Sequence, residues 1–377
     1  MIKVPLSLYI HIPWCVRKCP YCDFNSHEAK TAMPESLYVD ALIDELKHHL
    51  HLIQNRPINS IFFGGGTPSL FSAQSIGKIL DAVGRETVIA ENCEITLEAN
   101  PGTIDQGNFH GFREAGINRL SLGIQSLQDD KLKILGRIHD RENAMEGIRI
   151  AKAAGFDNFN LDIMYGLPHQ NLQDALSDIE DALSFAPKHF SWYQLTIEPN
   201  TVFYKKPPSL PADDLIFEMQ LAGQEKLASA GYKQYEVSAY AVSGHECMHN
   251  RNYWEFGDYL GLGAGAHSKI TRDSGEVLRF AQVRQPRDYL DASKRRSIAL
   301  NTIAEKDLVF EFMLNALRLT EGVDISLFTE RTGVSLDQID ELLNDAMRKG
   351  LLLHHPKKLC VSELGKRYLN NLVMMFL

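Results

Sequence analysis

Three cysteines crowd into eight residues, Cys15, Cys19 and Cys22, spaced Cys-x3-Cys-x2-Cys. The other three, Cys93, Cys247 and Cys360, stand alone in apolar or mixed surroundings and read as buried free thiols. In a cytosolic chain of this size, so tight a triad points to a metal centre rather than to a disulfide framework. Zinc normally takes four ligands, so a zinc site would need a fourth from elsewhere, such as His27 or Cys247. A [4Fe–4S] cluster is the sharper reading. Its irons are normally held by four thiolates, and three would leave one iron open to an outside molecule. Arg17 and Lys18 lie inside the loop and should favour thiolate over thiol. Pro20 and Tyr21 should stiffen the loop and offer an aromatic face.

An open iron needs a ligand, and several residues suit one. Gly64-Gly65-Gly66-Thr67-Pro68 would let backbone approach a small molecule closely, with its amides and the threonine hydroxyl ready for an amine or carboxylate. Glu98, Gln125 and Asp162 sit at or near the ends of strand-like segments, and Arg137 lies in Gly-Arg-Ile-His-Asp. Carboxylates accept from an amine or a ribose hydroxyl, and arginine clamps a carboxylate. Polar residues at the ends of successive strands point to one shared cleft.

Elements must bring these groups together. LSLYIHI (6–12), SIFFG (60–64), EITLEA (94–99), RLSLGIQS (119–126), FNLDIMYG (159–166) and FSWYQLTI (190–197) read as strands. Helical spacing runs between them. In 36–53 it is carried by Val39, Leu42, Ile43, Leu46, Leu50 and Ile53, and in 141–154 by Ala144, Ile148 and Ala151, with Gly155 as the stop. Six strand–helix repeats predict an α/β fold with a parallel sheet. They are too few for an eight-fold barrel, so residues 1–203 are expected to form a partial, TIM-like (β/α)6 barrel, with function at the C-terminal strand ends. Residues 204–300 read as a connecting region that opens on YKKPPSLPADD. Residues 301–377 read as a small, mainly helical, winged-helix-like unit. It has a helix near 305–319, a second helix opened by a capping-box pair, Ser335 and Gln338, then the hairpin LLLHHPKKLCV and a closing helix.

Composition narrows the function. The chain has 377 residues, 44% hydrophobic and 23% charged, which is ordinary for a globular protein and excludes a disordered or fibrous one. Lys+Arg 39 against Asp+Glu 48 gives a net charge of −9, and the segment 335–349 is acidic, so no nucleic-acid binding is expected. No run approaches about 18 apolar residues, and the N-terminus has no signal-peptide pattern. The expected location is cytoplasmic, with room for peripheral contact at a membrane.

With Tyr21 before its last cysteine, the triad resembles the radical S-adenosylmethionine (SAM) superfamily pattern. YIHIPWC, FFGGGTPS, LEANPG, LGIQS, GRIHD and DIMYGLP resemble its coproporphyrinogen III dehydrogenase-like branch, and the likeness runs over essentially the whole chain, including a HemN-like C-terminal module. The resemblance implies that Cys15, Cys19 and Cys22 hold three irons of a [4Fe–4S] cluster and that SAM binds the fourth. An electron from the cluster can then cleave SAM to a 5′-deoxyadenosyl radical, while the protein supplies geometry and excludes water. The same resemblance puts SAM-binding positions at Tyr9, Gly65, Gly66, Thr67, Glu98, Gln125, Arg137 and Asp162.

Two departures matter. The dehydrogenases carry a further cysteine two residues after the triad, where this chain has Phe24, and a longer segment than the 14 residues that precede Cys15 here. Both argue against coproporphyrinogen decarboxylation. The short N-terminus, Cys22-Asp23-Phe24 and His249-Asn250-x-x-Tyr253-Trp254 resemble HemW-type haem chaperones, which are taken to bind haem and pass it to acceptor proteins. The implied function is therefore a haem chaperone that binds haem, the cluster and SAM. Oxygen-independent coproporphyrinogen III oxidation, or another radical SAM reaction, is the alternative. The implied partners are an electron donor and a haem acceptor, with membrane-bound respiratory haemoproteins as candidates and room for a homodimer.

His249 suits an axial haem ligand, with Tyr253 and Trp254 over a porphyrin face; packing of the three at a domain junction is the plainer alternative. His48, His49 and His51 read as exposed on a helix, and His354 and His355 as exposed in the hairpin. His11 and His267 stand open between core packing and substrate contact.

Overall fold

The computed structural model describes residues 4–29, 32–103 and 106–377. Six parallel strands lie side by side in chain order: β1 (Leu6–Ile12), β2 (Ile58–Gly65), β3 (Ile89–Ala99), β4 (Arg119–Gln125), β5 (Phe159–Tyr165) and β6 (His189–Gln194). Parallel neighbours cannot be joined by a tight turn, so helices make the crossovers. These are α1 (Glu35–Ile53), α2 (Ala73–Glu86), α3 (Gln106–Glu114), α4 (Arg141–Ala153) and α5 (Leu172–Leu183), and α6 (Asp213–Ser229) follows the last strand. The expected strands and both expected helices are present. Gly155 takes φ 84°, a left-handed stop after α4 that costs glycine little. Asp140 with Asn143 and Asn171 with Asp174 form capping boxes that open α4 and α5.

The two faces of the sheet differ sharply. Leu120, Leu122 and Ile124 of β4, Phe159, Leu161 and Ile163 of β5, and Phe190 and Trp192 of β6 are buried in the main apolar core. The alternate residues are polar: Arg119, Ser121 and Gln125, then Asn160 and Asp162, then His189, Ser191 and Tyr193. They line one cavity. The period of two thus assigns each strand an oily face for the helices and a polar face for the concave side.

Residues 204–300 do more than connect. Strands β7 (Lys233–Glu236) and β8 (Ala239–Ala241) add antiparallel to the β6 edge. Strand β9 (Asp258–Leu262) pairs parallel with β1, and β10 (His267–Thr271), β11 (Val277–Ala281) and β12 (Asn301–Thr302) follow antiparallel. The result is one mixed sheet of 12 strands. A short helix α7 (Met248–Trp254) packs against β1, β2 and β9.

The C-terminal unit differs from expectation in detail. Its first helix, α8 (Glu305–Ala316), ends earlier than 319. No capping box forms at Ser335: its hydroxyl turns to Asp337, a single 3-10 turn runs over Leu336–Gln338, and the helix proper is Asp340–Arg348. The side chain of Asp337 competes for the cap hydroxyl. The hairpin pairs Leu352 with Val361, and Val323–Asp324 joins it as a third strand. The closing helix is two short helices that meet at Tyr368.

Candidate functional site

A cavity of about 400 Å³ opens on the polar face of the sheet. Its lining holds Cys15, Cys19 and Cys22 together with Gly65, Gly66, Thr67, Glu98, Gln125, Arg137 and Asp162. Tyr9 and His249 lie outside that lining.

The cysteine loop is tied down from several sides. Trp14–Cys15 pairs with His27–Glu28, and the amide of Cys22 donates to the carbonyl of Cys19. Lys18 Nζ donates to the carbonyls of Phe24 (2.9 Å) and Ser26 (3.3 Å). Burial pushes the thiols of Cys15 and Cys22 up rather than down. The expected help from loop cations is therefore only partial: Lys18 lowers Cys22, but its main work is to bind the loop to itself. Arg137 Nη1 donates to Cys19 Sγ (3.7 Å) and Nη2 to the carbonyl of Gly123 (2.5 Å), so this cation joins the loop to β4. Among the described residues, no three His, Cys, Asp or Glu side chains converge closely enough to grip a single metal ion. Each thiolate of a [4Fe–4S] group takes its own iron, so such a cluster asks for three separate thiolates around one space, which this lining supplies.

The glycine triplet carries the right residues for a different reason. The amides of Gly66 and Thr67 donate to the carbonyls of Ile12 and Trp14, and that of Gly65 donates to Glu98 (3.2 Å). A Cβ on Gly65 would lie 2.4 Å from the His11 ring, and one on Gly66 would lie 2.4 Å from the Trp14 carbonyl oxygen. The close approach is thus to the protein's own strand and cysteine loop. Of the donors expected to face a ligand, the Thr67 hydroxyl alone turns toward Cys15.

Glu98 is pushed up to about 8, first by burial and then by the neighbouring Asp162. Asp162 is also raised by burial, against hydrogen bonds from Ser191, Asn160 and Ser121. Two carboxyls that resist charge together suit a cationic ligand. Gln125 ends β4 at φ 71°, an uncommon region for a non-glycine residue, with its amide oxygen accepting from Tyr193 (2.6 Å). A strained residue at a strand end beside a cavity is a recurrent mark of a functional site.

Several lining residues escaped the sequence reading: Arg119, Ser121, Asn160, His189, Ser191 and Tyr193. The signal was available in the polar alternation of three consecutive strands. Attention to strand ends alone passed over it.

The histidines divide differently from expectation. His249 is 2% exposed; Nδ1 pairs with the Ser60 hydroxyl (3.0 Å) and Nε2 with the Tyr253 hydroxyl (2.9 Å). Burial holds it down to about 3, so it is neutral, but neither nitrogen is free for iron. The axial-ligand expectation for His249 is therefore not met by this arrangement. Tyr253 packs edge-on to Tyr259, and Trp254 lies under the Arg318 guanidinium, as junction packing would have it. Tyr9 stands behind Gly64, its hydroxyl paired with His11 Nδ1 (3.1 Å). His49 is buried against Phe280, unlike exposed His48 and His51, because it falls on the inner face of α1. His354 and His355 are exposed, Cys93 and Cys247 are buried, and Cys360 is only half-buried.

Comparison with known proteins follows this geometry. A radical SAM superfamily model matches residues 9–182 and a HemN C-terminal domain model matches residues 303–368. Fold and site thus define a radical SAM protein with a HemN-type C-terminal domain. The chain is 47% identical to the heme chaperone HemW of Haemophilus influenzae, over 99% of this chain and 98% of that protein. It is 45% identical to the heme chaperone HemW of Escherichia coli over the full length of both. The chain belongs to the HemW family. A solved structure of coproporphyrinogen III oxidase (HemN) from Escherichia coli shares the fold, with a TM-score of 0.83 over 99% of this chain and 90% of that one at 22% identity.

Proposed function

We propose that this chain is a haem chaperone, which binds haem, carries a [4Fe–4S] cluster and SAM, and passes haem to an acceptor protein. The observation that carries the reading is one cavity shared by the three cysteines and the polar strand-end residues, in a chain similar from end to end to proteins named heme chaperones. Cys15, Cys19 and Cys22 would hold the cluster. Glu98 and Asp162 would receive the positive groups of SAM, with Gln125, Arg137, Thr67 and the Gly65–Gly66 backbone around it and Tyr9 behind. When bound, cluster and SAM supply one-electron chemistry. Arg137 keeps the cysteine loop against β4, and the hydrogen bonds of Gly65 and Gly66 fix the strand end on which the site is built.

The reading includes an electron donor for the cluster and a cytoplasmic protein. Among the described residues no helix is long and apolar enough to cross a membrane, so a membrane-bound acceptor would be met at the surface. A homodimer is compatible with this reading. The test is an anaerobic haem titration of the cluster-reconstituted protein. Saturable Soret changes near one equivalent are expected. Absence of saturable binding, with protoporphyrinogen formed from coproporphyrinogen under reducing conditions, would replace the chaperone by the oxidase.

A further inference from the structure

A haem iron needs a donor with a free lone pair beside a surface that takes a flat apolar ring. Four buried histidines have both ring nitrogens engaged. His249 pairs with Ser60 and Tyr253, His11 with Tyr9 and the Asn25 carbonyl, His139 with Asn100 and the Ile124 carbonyl, and His189 with Asn160 and Tyr235. His49 is enclosed in the core. Among the histidines, that leaves those nearer the surface.

We propose that His267 is the axial ligand of the haem iron, with Phe24 against the porphyrin face and Arg284 beside a propionate. This rests on the haem-chaperone reading and gives it a site. His267 opens β10 and is exposed, and its ring makes no hydrogen bond among the described residues. Phe24 is 61% exposed and lines the mouth of the cavity beside Cys22. A single side chain joins the two segments. Asn25 Nδ2 donates to the carbonyls of Ala264 and Arg284, each at 2.9 Å, so the residue after Phe24 is clamped to the strand ends that carry His267 and Arg284. Gly265 makes that clamp possible, since a Cβ there would lie 2.4 Å from Asn25 Nδ2. Burial, Arg279 and Arg284 hold His267 below the usual imidazole range, which leaves it neutral and able to coordinate. Arg284 is exposed, as is Arg17 in the cysteine loop, and both would meet the anionic propionates. The placement also gives Phe24 a purpose: an apolar plate at the rim rather than a further thiol.

The test titrates the full-length, cluster-loaded protein anaerobically with haemin and follows absorption and electron paramagnetic resonance. Wild type, His267→Gly, His27→Ala and Arg284→Met are compared, with circular dichroism and iron content checking that each is folded and loaded. Loss of a ligand's outer partner alone weakens metal binding by about 10–100-fold, so His267→Gly should bind haemin at least about tenfold more weakly. Added imidazole should restore the wild-type spectrum, which a merely structural role would not allow. Haemin dimethyl ester should bind less tightly than haemin to wild type, and the difference should shrink in Arg284→Met, where Arg17 alone is left to meet the propionates. The inference is overturned if His267→Gly keeps the wild-type affinity and spectrum, or if His27→Ala alone removes the ligand signature. Failure of wild type to bind haemin at all would instead sink the chaperone reading.

Discussion

Glu98 is the residue whose charge the fold resists most usefully. Its pKa rises from 4.5 to about 8 on folding, through burial and Asp162. Below the unfolded value the group is protonated in both states and contributes no pH dependence. As pH rises from there toward 8, the folded state holds the extra proton, so stability falls, and the full penalty is present above 8. Glu98→Gln should therefore stabilise the ligand-free protein by about 1–2 kcal/mol near pH 8, with the gain shrinking toward about pH 5. Urea denaturation at several pH values measures it, and a gain independent of pH would refute the assignment. The same variant should lose SAM affinity. Gly66→Ala acts in the opposite sense: the added carbon meets the Trp14 carbonyl at 2.4 Å, and overpacking of this kind costs about 1–3 kcal/mol. At this scale much of the site was legible, because cysteine spacing and strand-end carboxylates are local features. The purpose of the glycines was not, since it depends on which loop lies across the strand end, and that contact joins residues about fifty positions apart.

Elements are held by buried charge as well as by apolar packing. Asp258, at the head of β9, is wholly buried and takes Arg56 Nη1 at 2.6 Å and Lys269 Nζ at 2.9 Å. Arg56 follows α1 and also donates to the carbonyls of Leu52, Ile53 and Val4. This one carboxylate therefore fixes the seventh parallel strand against β1 and starts the antiparallel extension. Asp258→Ala would leave two cations buried without a counter-ion, a loss of about 3–5 kcal/mol. Thermal melting should show it, and a variant as stable as wild type would mean that water enters the junction. For α7, His249→Ala breaks two buried hydrogen bonds, so about 1–3 kcal/mol should be lost while the haem spectrum stays as in wild type. Strand and helix identities were open to reading because each has its own period. The role of His249-Asn250-x-x-Tyr253-Trp254 was not, since a histidine beside two aromatics has the same sequence signature whether it faces a porphyrin or a serine.

The C-terminal unit looked separable in the sequence and is not so in the fold. Tyr235, Ala239, Ala241, Phe256 and Val277 of the sheet region share one apolar core with Phe312, Met313, Phe328 and Leu372. The edge strand β7 reaches across by an antiparallel bridge from Glu236 to Leu319, and Thr320 Oγ1 donates to the Gln234 carbonyl. Long-range pairings of this kind leave no local periodicity, because they depend on which strand is left at the sheet's edge. Across the seam, Arg318 Nη2 meets Glu236 Oε2 at 3.0 Å, with Glu236 2% exposed and the guanidinium stacked over Trp254 at 4.4 Å. Arg318→Met keeps most of the stem over the indole but takes the cation from a buried carboxylate that keeps its bonds from Ser238. The partial exposure of Arg318 lets water share that burden, so the expected loss is about 2 kcal/mol rather than the larger value for a fully enclosed pair. Because one core spans the seam, calorimetry should show one unfolding transition in wild type, moved to lower temperature but not split in the variant. Two resolved transitions, with only the smaller displaced by Arg318→Met, would show that the C-terminal unit unfolds on its own and that the shared core does not bind the molecule into a single cooperative body.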